Sequence, residues 1–471
     1  MAHRFLNAAK ANWRLSSTRK PTVINTNLKR QVDEMKNLFG TPSLLLSVSF
    51  IFIILYTETV NNLTREEYEE LIRKFGVADD DVKALAPLPD ENDPGIFENE
   101  PHPNDDVRTH VQVGDSQCLL TNYVKRRLEH IPGFPRPVKD TGDKAYRISS
   151  TLHRGLGMFA ARRFNTGDLI ADERPLMVYP LGPSTDLSSM SNGVRSNQSK
   201  YSQDLIGSIF ERMSKESREA FMGLCKSRLH DDPLLGVIFA NGFHLADDLK
   251  DETDNVKYLS PLAPNIESLR RLGRYASVHK DLSRVNHSCS PNASYKFHIS
   301  TFSMQLRAAR DIEAGEEIFT TCIDNLQPAA ERARCLLPHG IECTCRACLD
   351  PTKSDPIRAA VKNRPVLFTP RDLKPPQAWI DPALQTLARI EEEELQASTE
   401  YRQTLRQLFN AYMYVKDEEN ALVYGKKLWA ANLAAGKPLC EMFRDVELMK
   451  KSPQWTRPKW LWGVQKRHVI V

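Results

Sequence analysis

Net charge is almost absent from this chain: 64 Lys and Arg stand against 60 Asp and Glu over 471 residues, a formal +4. That near balance argues against nucleic-acid binding as the main task, because a phosphate backbone is recognised through a basic excess. Cysteine is scarce outside one region. Cys118, Cys225 and Cys440 stand alone, whereas Cys322, Cys335, Cys343, Cys345 and Cys348 fall within 27 residues. Such clustering reads as metal binding in a reducing compartment and not as a disulfide framework. No cleavable secretory signal is evident at the N-terminus. The 41% hydrophobic content describes a globular protein, and the length allows two or three domains.

The first 32 residues lack Asp and Glu altogether but carry Arg4, Lys10, Arg14, Arg19, Lys20, Lys29 and Arg30. Charge of either sign is then missing from Leu38 to Thr57. We therefore read 1–37 as a basic segment and 38–57 as a candidate transmembrane helix, with the N-terminus cytoplasmic and the remainder tethered to a membrane. A buried helix, or a stretch from a faulty gene model, is the other reading. The basic, acid-poor start also looks like a mitochondrial targeting peptide, the lesser alternative. Residues 58–144 read as a charged linker region. Thr64 and Glu67 form a capping box there, and Asp79 to Asp106 holds ten acids, one Lys and five prolines.

Order is expected from Tyr146. Two segments match one another: Ala161 to Ile170, with Gly167, and Ala309 to Ile318, with Gly315. Each reads as a strand, a turn that needs glycine at positive φ, and a second strand. Between them, about Lys200 to Lys250, Leu205, Ile206, Ile209, Phe210, Met213, Phe221 and Leu224 recur at helical spacing. After Cys348 the pattern turns helical again. Tyr401, Leu405, Leu408, Phe409, Tyr412 and Met413 share a face, and Ala421, Leu422, Leu428 and Trp429 suggest a returning helix. That pair has the look of one tetratricopeptide hairpin; one unit is not an array, and core packing on the rest of the protein is the favoured role.

Three strings carry chemistry. Asn286-His287-Ser288-Cys289-Ser290-Pro291-Asn292 comes first, Gly315-Glu316-Glu317-Ile318 follows, and Cys343-Thr344-Cys345-Arg346-Ala347-Cys348 closes the series. Together they hold four thiols, the number that a closed structural zinc site needs. In this order the strings resemble the SET-domain protein lysine methyltransferases, in particular the SMYD-like branch. The resemblance covers about residues 145–350. The zinc-binding MYND module of that branch is not matched, since the region between the two hairpins holds only Cys225.

The resemblance implies an α+β SET-domain fold of short β-sheets. It places a SET domain with a helical insert at 145–335 and a zinc-bound post-SET segment at 336–350, with a helical C-terminal region at 351–471. It implies S-adenosylmethionine as cofactor, a protein lysine (histone or non-histone) as substrate, and a nuclear or cytoplasmic location. Arg154, Gly155, Leu156 and Gly157 match the first cofactor loop, where small residues admit the ligand. Asn241, Ser283, Asn286 and His287 match further cofactor-contacting positions, although Asn241-Gly242 taken alone reads equally as a helix-ending turn. Cys289, Cys343, Cys345 and Cys348 would share one structural zinc. The chain departs from the family at two channel tyrosines: Cys322 and His339 stand there. Cysteine is a short, weak donor, while histidine can act as a base near neutral pH. The expectation is a weakened methyltransferase; the rival is a catalytically impaired interaction module that binds cofactor and zinc.

Overall fold

The computed structural model describes residues 104–181 (except 106, 142–144 and 153), 192–245 (except 228–229), 249, 275–364, 377–452 and 455, with a few positions between 69 and 88. The chain divides into two compact units. One comprises Met1–Ala86, Leu367–Pro375 and Pro458–Val471 and lies almost wholly outside the described residues. The capping box at Thr64 and the candidate span 38–57 fall there and are likewise outside them. Among the described residues no helix is long and apolar enough to cross a membrane. Everything below concerns the second unit, Pro87–Val366 with Pro376–Arg457.

Structured chain begins earlier than the sequence suggests. Strands β1 (Arg108–Val113) and β2 (Ser116–Thr121) form an antiparallel hairpin across Gly114-Asp115, followed by helix α1 (Asn122–Glu129). The 58–144 linker reading therefore fails from Arg108 onward. The missed signal is a pair of short apolar-alternating runs around a Gly-Asp turn, with Gly114 at φ +58°. Thr121 caps α1 by accepting the Val124 amide, and Arg126 pairs with Asp105 at 2.6 Å. Asp105, near the end of the acidic stretch, is thus part of the fold.

The next strands are β3 (Tyr146–Ser150), β4 (Leu156–Ala160), β5 (Leu169–Glu173) and β6 (Met177–Pro180). Helices α2 (Asn192–Phe210), α3 (Lys215–Met222) and α4 (Pro233–Asn241) lead to β7 (Phe243–His244) and β8 (Tyr275–Val278). A five-stranded sheet runs β1-β2-β6-β8-β7, and its two faces serve two cores. Side chains alternate across a strand. Cys118, Leu120, Val178 and Tyr275 accordingly enter one core with the other sheets. Leu119, Met177, Tyr179, Ala276 and Val278 face the opposite way, onto Ile206, Ile209 and Phe221 of α2 and α3 and onto Met213 and Leu224 just past those helices. The helical spacing seen in the sequence is what fills that second face.

The remaining strands are β9 (Asn286–His287), β10 (Ala293–His298), β11 (Ser303–Ala308) and β12 (Phe319–Thr320). β10, β11 and β5 form one antiparallel sheet, and β9 lies parallel to β12 with Asn286 opposite Phe319 and His287 opposite Thr320. The two matching glycine segments pair with each other, since Phe164 and Ile312 exchange both backbone hydrogen bonds at 2.9 Å. The first strand expected in each is reduced to that single bridge. Their turns are as expected, with Gly167 at φ +95° and Gly315 at φ +86°.

Beyond β12 come α5 (Ala329–Leu336), α6 (Arg346–Leu349), α7 (Pro351–Lys362), α8 (Gln377–Glu392), α9 (Thr399–Val415) and α10 (Glu418–Ala434). Ser398 and Asp417 cap the last two by accepting the Tyr401 and Asn420 amides. A third core joins Val361, Leu387, Leu405, Leu408 and Leu428. α10 also meets the β-sheets: a Cβ on Gly167 would lie 3.2 Å from the Ala430 carbonyl, whereas one on Gly315 would meet nothing within 4 Å. The two positive-φ glycines thus differ in one respect only. Gly315→Ala should cost about 1 kcal/mol for backbone strain alone, and Gly167→Ala about 2–3 kcal/mol because α10 must also shift. Urea denaturation of the two variants compares them directly; equal losses would contradict the packing of α10 on this turn.

Candidate functional site

Asn292 fixes the site's frame. It is fully buried; its amide nitrogen donates to the Glu317 carbonyl at 2.8 Å and its oxygen accepts the Phe319 amide at 2.7 Å. This joins the end of the Asn-His-Ser-Cys string to the start of β12, and the β9–β12 ladder continues the seam.

Asn286 closes the other side. Its amide nitrogen donates to the Leu156 carbonyl at 3.2 Å and to Glu317 Oε1 at 2.8 Å. Both donor hydrogens are spent on the protein, which leaves its oxygen as the free acceptor. Arg154 reaches the same carboxylate at 3.7 Å and stacks its guanidinium 4.9 Å from the Phe319 ring centre. The two loop glycines have different causes. Gly155 sits at φ +73° in open space, so the backbone angle alone demands it. A Cβ on Gly157 would stand 2.6 Å from Glu317 Oε1 and 3.0 Å from Asn286 Nδ2, so there it is the close approach of protein side chains that excludes any larger residue. Leu156 is partly exposed beside them.

Asn241 and Ser283 form a second group. The Asn241 side chain donates to the Cys225 and Val237 carbonyls, both at 2.7 Å, which secures the end of α4. Ser283 Oγ donates to the Asn241 carbonyl and accepts the His279 amide, each at 3.0 Å. Ser283 lies in a 3-10 turn, Leu282–Arg284, whose entry is held by Glu173. That carboxylate accepts the amides of Lys280 (2.7 Å) and Leu282 (2.8 Å), and burial pushes its pKa up to about 7. The turn packs against β4, which brings the two groups side by side. Glu173 was not foreseen, because a lone acid at the end of a strand has no sequence signature.

His287 lies between the thiols and Cys322. Its Nε2 is 3.5 Å from Cys289 Sγ and its Nδ1 is 3.7 Å from Cys322 Sγ. Burial lowers its pKa to about 4, so the ring is neutral at pH 7. Cys322 is open to solvent on one side, yet the surrounding protein pushes its thiol up to about 11. It is a neutral thiol and neither a base nor a nucleophile near neutrality. His339 donates Nδ1–H to the Phe239 carbonyl at 3.1 Å, since a carbonyl can only accept.

The sulfurs of Cys289, Cys343, Cys345 and Cys348 lie within 4.8 Å of one another, with Cys289 at 3.5 Å from Cys348 and 3.9 Å from Cys343. A tetrahedral site with metal–sulfur bonds near 2.3 Å would place sulfurs about 3.8 Å apart. The donor set fits such a cation. Two buried arginines that the sequence did not single out surround it. Arg332 donates to Cys348 Sγ at 3.7 Å and to the Ala347 carbonyl at 3.1 Å. Arg358 donates to the Cys289 carbonyl at 2.9 Å, the Asn325 carbonyl at 2.5 Å and Ser290 Oγ at 2.8 Å, and pairs with Glu393 at 3.2 Å. Isolated arginines on helices give no hint of this until the chain is folded.

Residues 155–322 match the SET domain family model. Over 207 residues the chain is 30% identical to the histone-lysine N-methyltransferase set5 of Schizosaccharomyces pombe, covering 43% of this chain and 50% of that protein. It is 29% identical over 184 residues to the N-lysine methyltransferase SMYD2 of Gallus gallus, covering 34% and 41%. The chain thus spans half or less of the length of these relatives. A solved structure, ctPRC2 in an autoinhibited conformation bound to S-adenosylmethionine, is 14% identical over 69% of this chain and 34% of its own, with a TM-score of 0.20.

The Arg358–Glu393 pair gives the site a stability signature. Both residues are buried, at 0% and 5% side-chain exposure. Arg358→Met should cost about 3–5 kcal/mol because it strands a buried carboxylate, whereas pairing it with Glu393→Leu should recover part of the loss. Urea unfolding of the two variants measures the difference; a single variant as stable as the parent would contradict the burial.

Proposed function

We propose that this chain is a SET-domain protein-lysine N-methyltransferase that uses S-adenosylmethionine. The observation that carries it is the seam at Asn286, where one amide ties the Leu156 carbonyl and Glu317 together beside His287. Around it stand the Gly155 turn, which needs a positive φ, and the Asn286 side chain, whose two donor hydrogens are spent on the protein so that its oxygen is the group offered to a ligand. Bound S-adenosylmethionine would supply an electrophilic methyl on sulfur. The chain's own task is to hold that methyl in line with a neutral lysine amine. The lysine nitrogen's lone pair forms the N–C bond while the S–C bond pair returns to sulfur, and the product ammonium loses a proton to water. Cys322, as a neutral thiol, contributes no base. His339 is tethered through Nδ1 to the Phe239 carbonyl.

The four cysteines are read as a structural zinc site, closed by four thiolates with no coordination position left for substrate. Metal analysis should find one zinc per chain, and Cys345→Ser should lose it together with folding stability, because assembly of such a site is coupled to folding. Undiminished zinc in that variant would remove the assignment.

Cofactor binding is tested separately. Calorimetry of the full chain with S-adenosylmethionine should show binding, and Gly157→Ala should weaken it about tenfold, equivalent to ~1.4 kcal/mol, by displacing Glu317 and Asn286. Zinc content should be unchanged. A parent protein that binds no S-adenosylmethionine would refute the enzymatic reading.

A further inference from the structure

The turn that carries Ser283 is not capped by its own cap residue. Asp281 stands at that position before Leu282–Arg284, with φ −98° and ψ −42°, yet its side chain makes no bond to the amides of the turn. An Asp there ordinarily accepts such an amide itself. Glu173 does so instead, from the end of β5. Its Oε1 accepts the Lys280 and Asp281 amides at 2.7 and 3.1 Å, and its Oε2 accepts those of Asp281 and Leu282 at 3.2 and 2.8 Å. Only an ionised carboxylate is an acceptor on both oxygens; a glutamine would turn an N–H against one of these amides.

The exchange frees the Asp281 carboxylate, and Tyr146 takes it. The Tyr146 hydroxyl donates to Asp281 Oδ2 at 2.9 Å. Its ring rests against the main core, and burial first, then the Asp281 charge, push the phenol up, so it remains a donor. Tyr146 opens β3, where it stands opposite Ala160, while Ser150 at the other end stands opposite Leu156. Among the described residues β3 pairs with β4 alone. β4 is fastened along its far edge, where the Ala160 and Met158 carbonyls accept the Gly315 and Ile318 amides at 2.8 Å each. The hairpin whose tip holds Gly155 is thus tied on one edge to the Gly-Glu-Glu-Ile string and at the base of the other to Asp281. Two residues past Asp281, Ser283 donates to the Asn241 carbonyl. One short turn carries a bond to each half of the candidate site.

We infer that Tyr146 and Asp281 are positioning residues that set the spacing between the glycine loop and the Asn241–Ser283 group, and that Glu173 makes this possible by capping the turn in place of Asp281. This rests on the methyltransferase reading above and concerns the fit of S-adenosylmethionine between the two groups. When Glu173 loses an acceptor, Asp281 is the residue placed to cap the turn, and it must then let go of Tyr146. The two contacts form one latch, so damage to either releases the same hairpin.

The test uses the full chain and the variants Tyr146→Phe, Glu173→Gln, the two together, and Asp281→Asn. Each is titrated with S-adenosylmethionine by calorimetry and followed by amide hydrogen exchange. Tyr146→Phe keeps the ring on the core and should bind the cofactor about tenfold more weakly, as for one hydrogen bond to a charged group. Glu173→Gln should weaken binding at least as much. The double variant should bind no more weakly than Glu173→Gln, because groups that act through one contact do not add. Asp281→Asn keeps an oxygen for the phenol and should bind nearly as the parent does. Exchange should quicken from Tyr146 to Gly157 in the first three variants and stay unchanged in β10 and β11; a general loss of stability would quicken both. Tyr146→Phe binding like the parent overturns the inference, as do losses that multiply in the double variant. Should Glu173→Gln fail to fold, the affinity and exchange of Tyr146→Phe decide alone. A parent that binds no S-adenosylmethionine refutes the methyltransferase reading instead; unquickened exchange in Tyr146→Phe then overturns the latch by itself.

Discussion

A single buried guanidinium holds the site to the rest of the protein. Arg358 comes from α7, yet its donors end on Cys289, Ser290 and Asn325, and its charge is met by Glu393 just past α8. Ser354 adds a bond to the same carboxylate at 2.8 Å, and Ser290 donates to the Glu393 carbonyl. A charge without access to water is tolerated only when its donors are satisfied, so these contacts stand or fall together. The C-terminal helices are consequently attached at the very loop that carries Cys289. They are not an appended region that happens to lie against the rest of the protein.

The same loop serves two neighbours at once. His287 stands two residues before Cys289 and touches both its sulfur and that of Cys322. Any cation held by the four thiols would thus set the position of the imidazole beside Cys322. Arg332 reinforces this from behind by donating to Cys348. Groups that orient ligands from the outside are as much part of such a centre as the ligands themselves. The thiol cluster and the Asn286–His287 seam thus share one short length of backbone.

The aromatic step from His279 through Phe243 to Tyr295 adds a rigid floor. Edge-to-face packing restricts a ring without consuming its polar atom. Glu173 gives comparable rigidity to the turn that carries Ser283, through its bonds to successive backbone amides. Neither device resembles a motif.

Much was nevertheless legible beforehand. The Asn-His-Ser-Cys string, the Gly-Glu-Glu-Ile string and the cysteine cluster are local patterns, and local spacing is what a sequence displays directly. The helical periodicities from Leu205 to Leu224 and from Tyr401 to Trp429 were visible for the same reason, since one buried face repeats along a few turns. The hairpin Arg108–Thr121 was passed over because its strands are short and adjoin an acidic, proline-rich stretch. What only the tertiary structure decided are meetings between distant residues: Arg358 with Cys289, Asn286 with Leu156, Gly157 with Glu317, and Tyr295 with Phe243. Each joins side chains far apart in the chain, and nothing in local composition records such an encounter. The sequence determined which residue types were on hand for a thiol cluster and a glycine-lined loop. Only folding could decide that Asn286 would close on Leu156 and Glu317, because that depends on how the β9–β12 ladder brings distant strings to one seam.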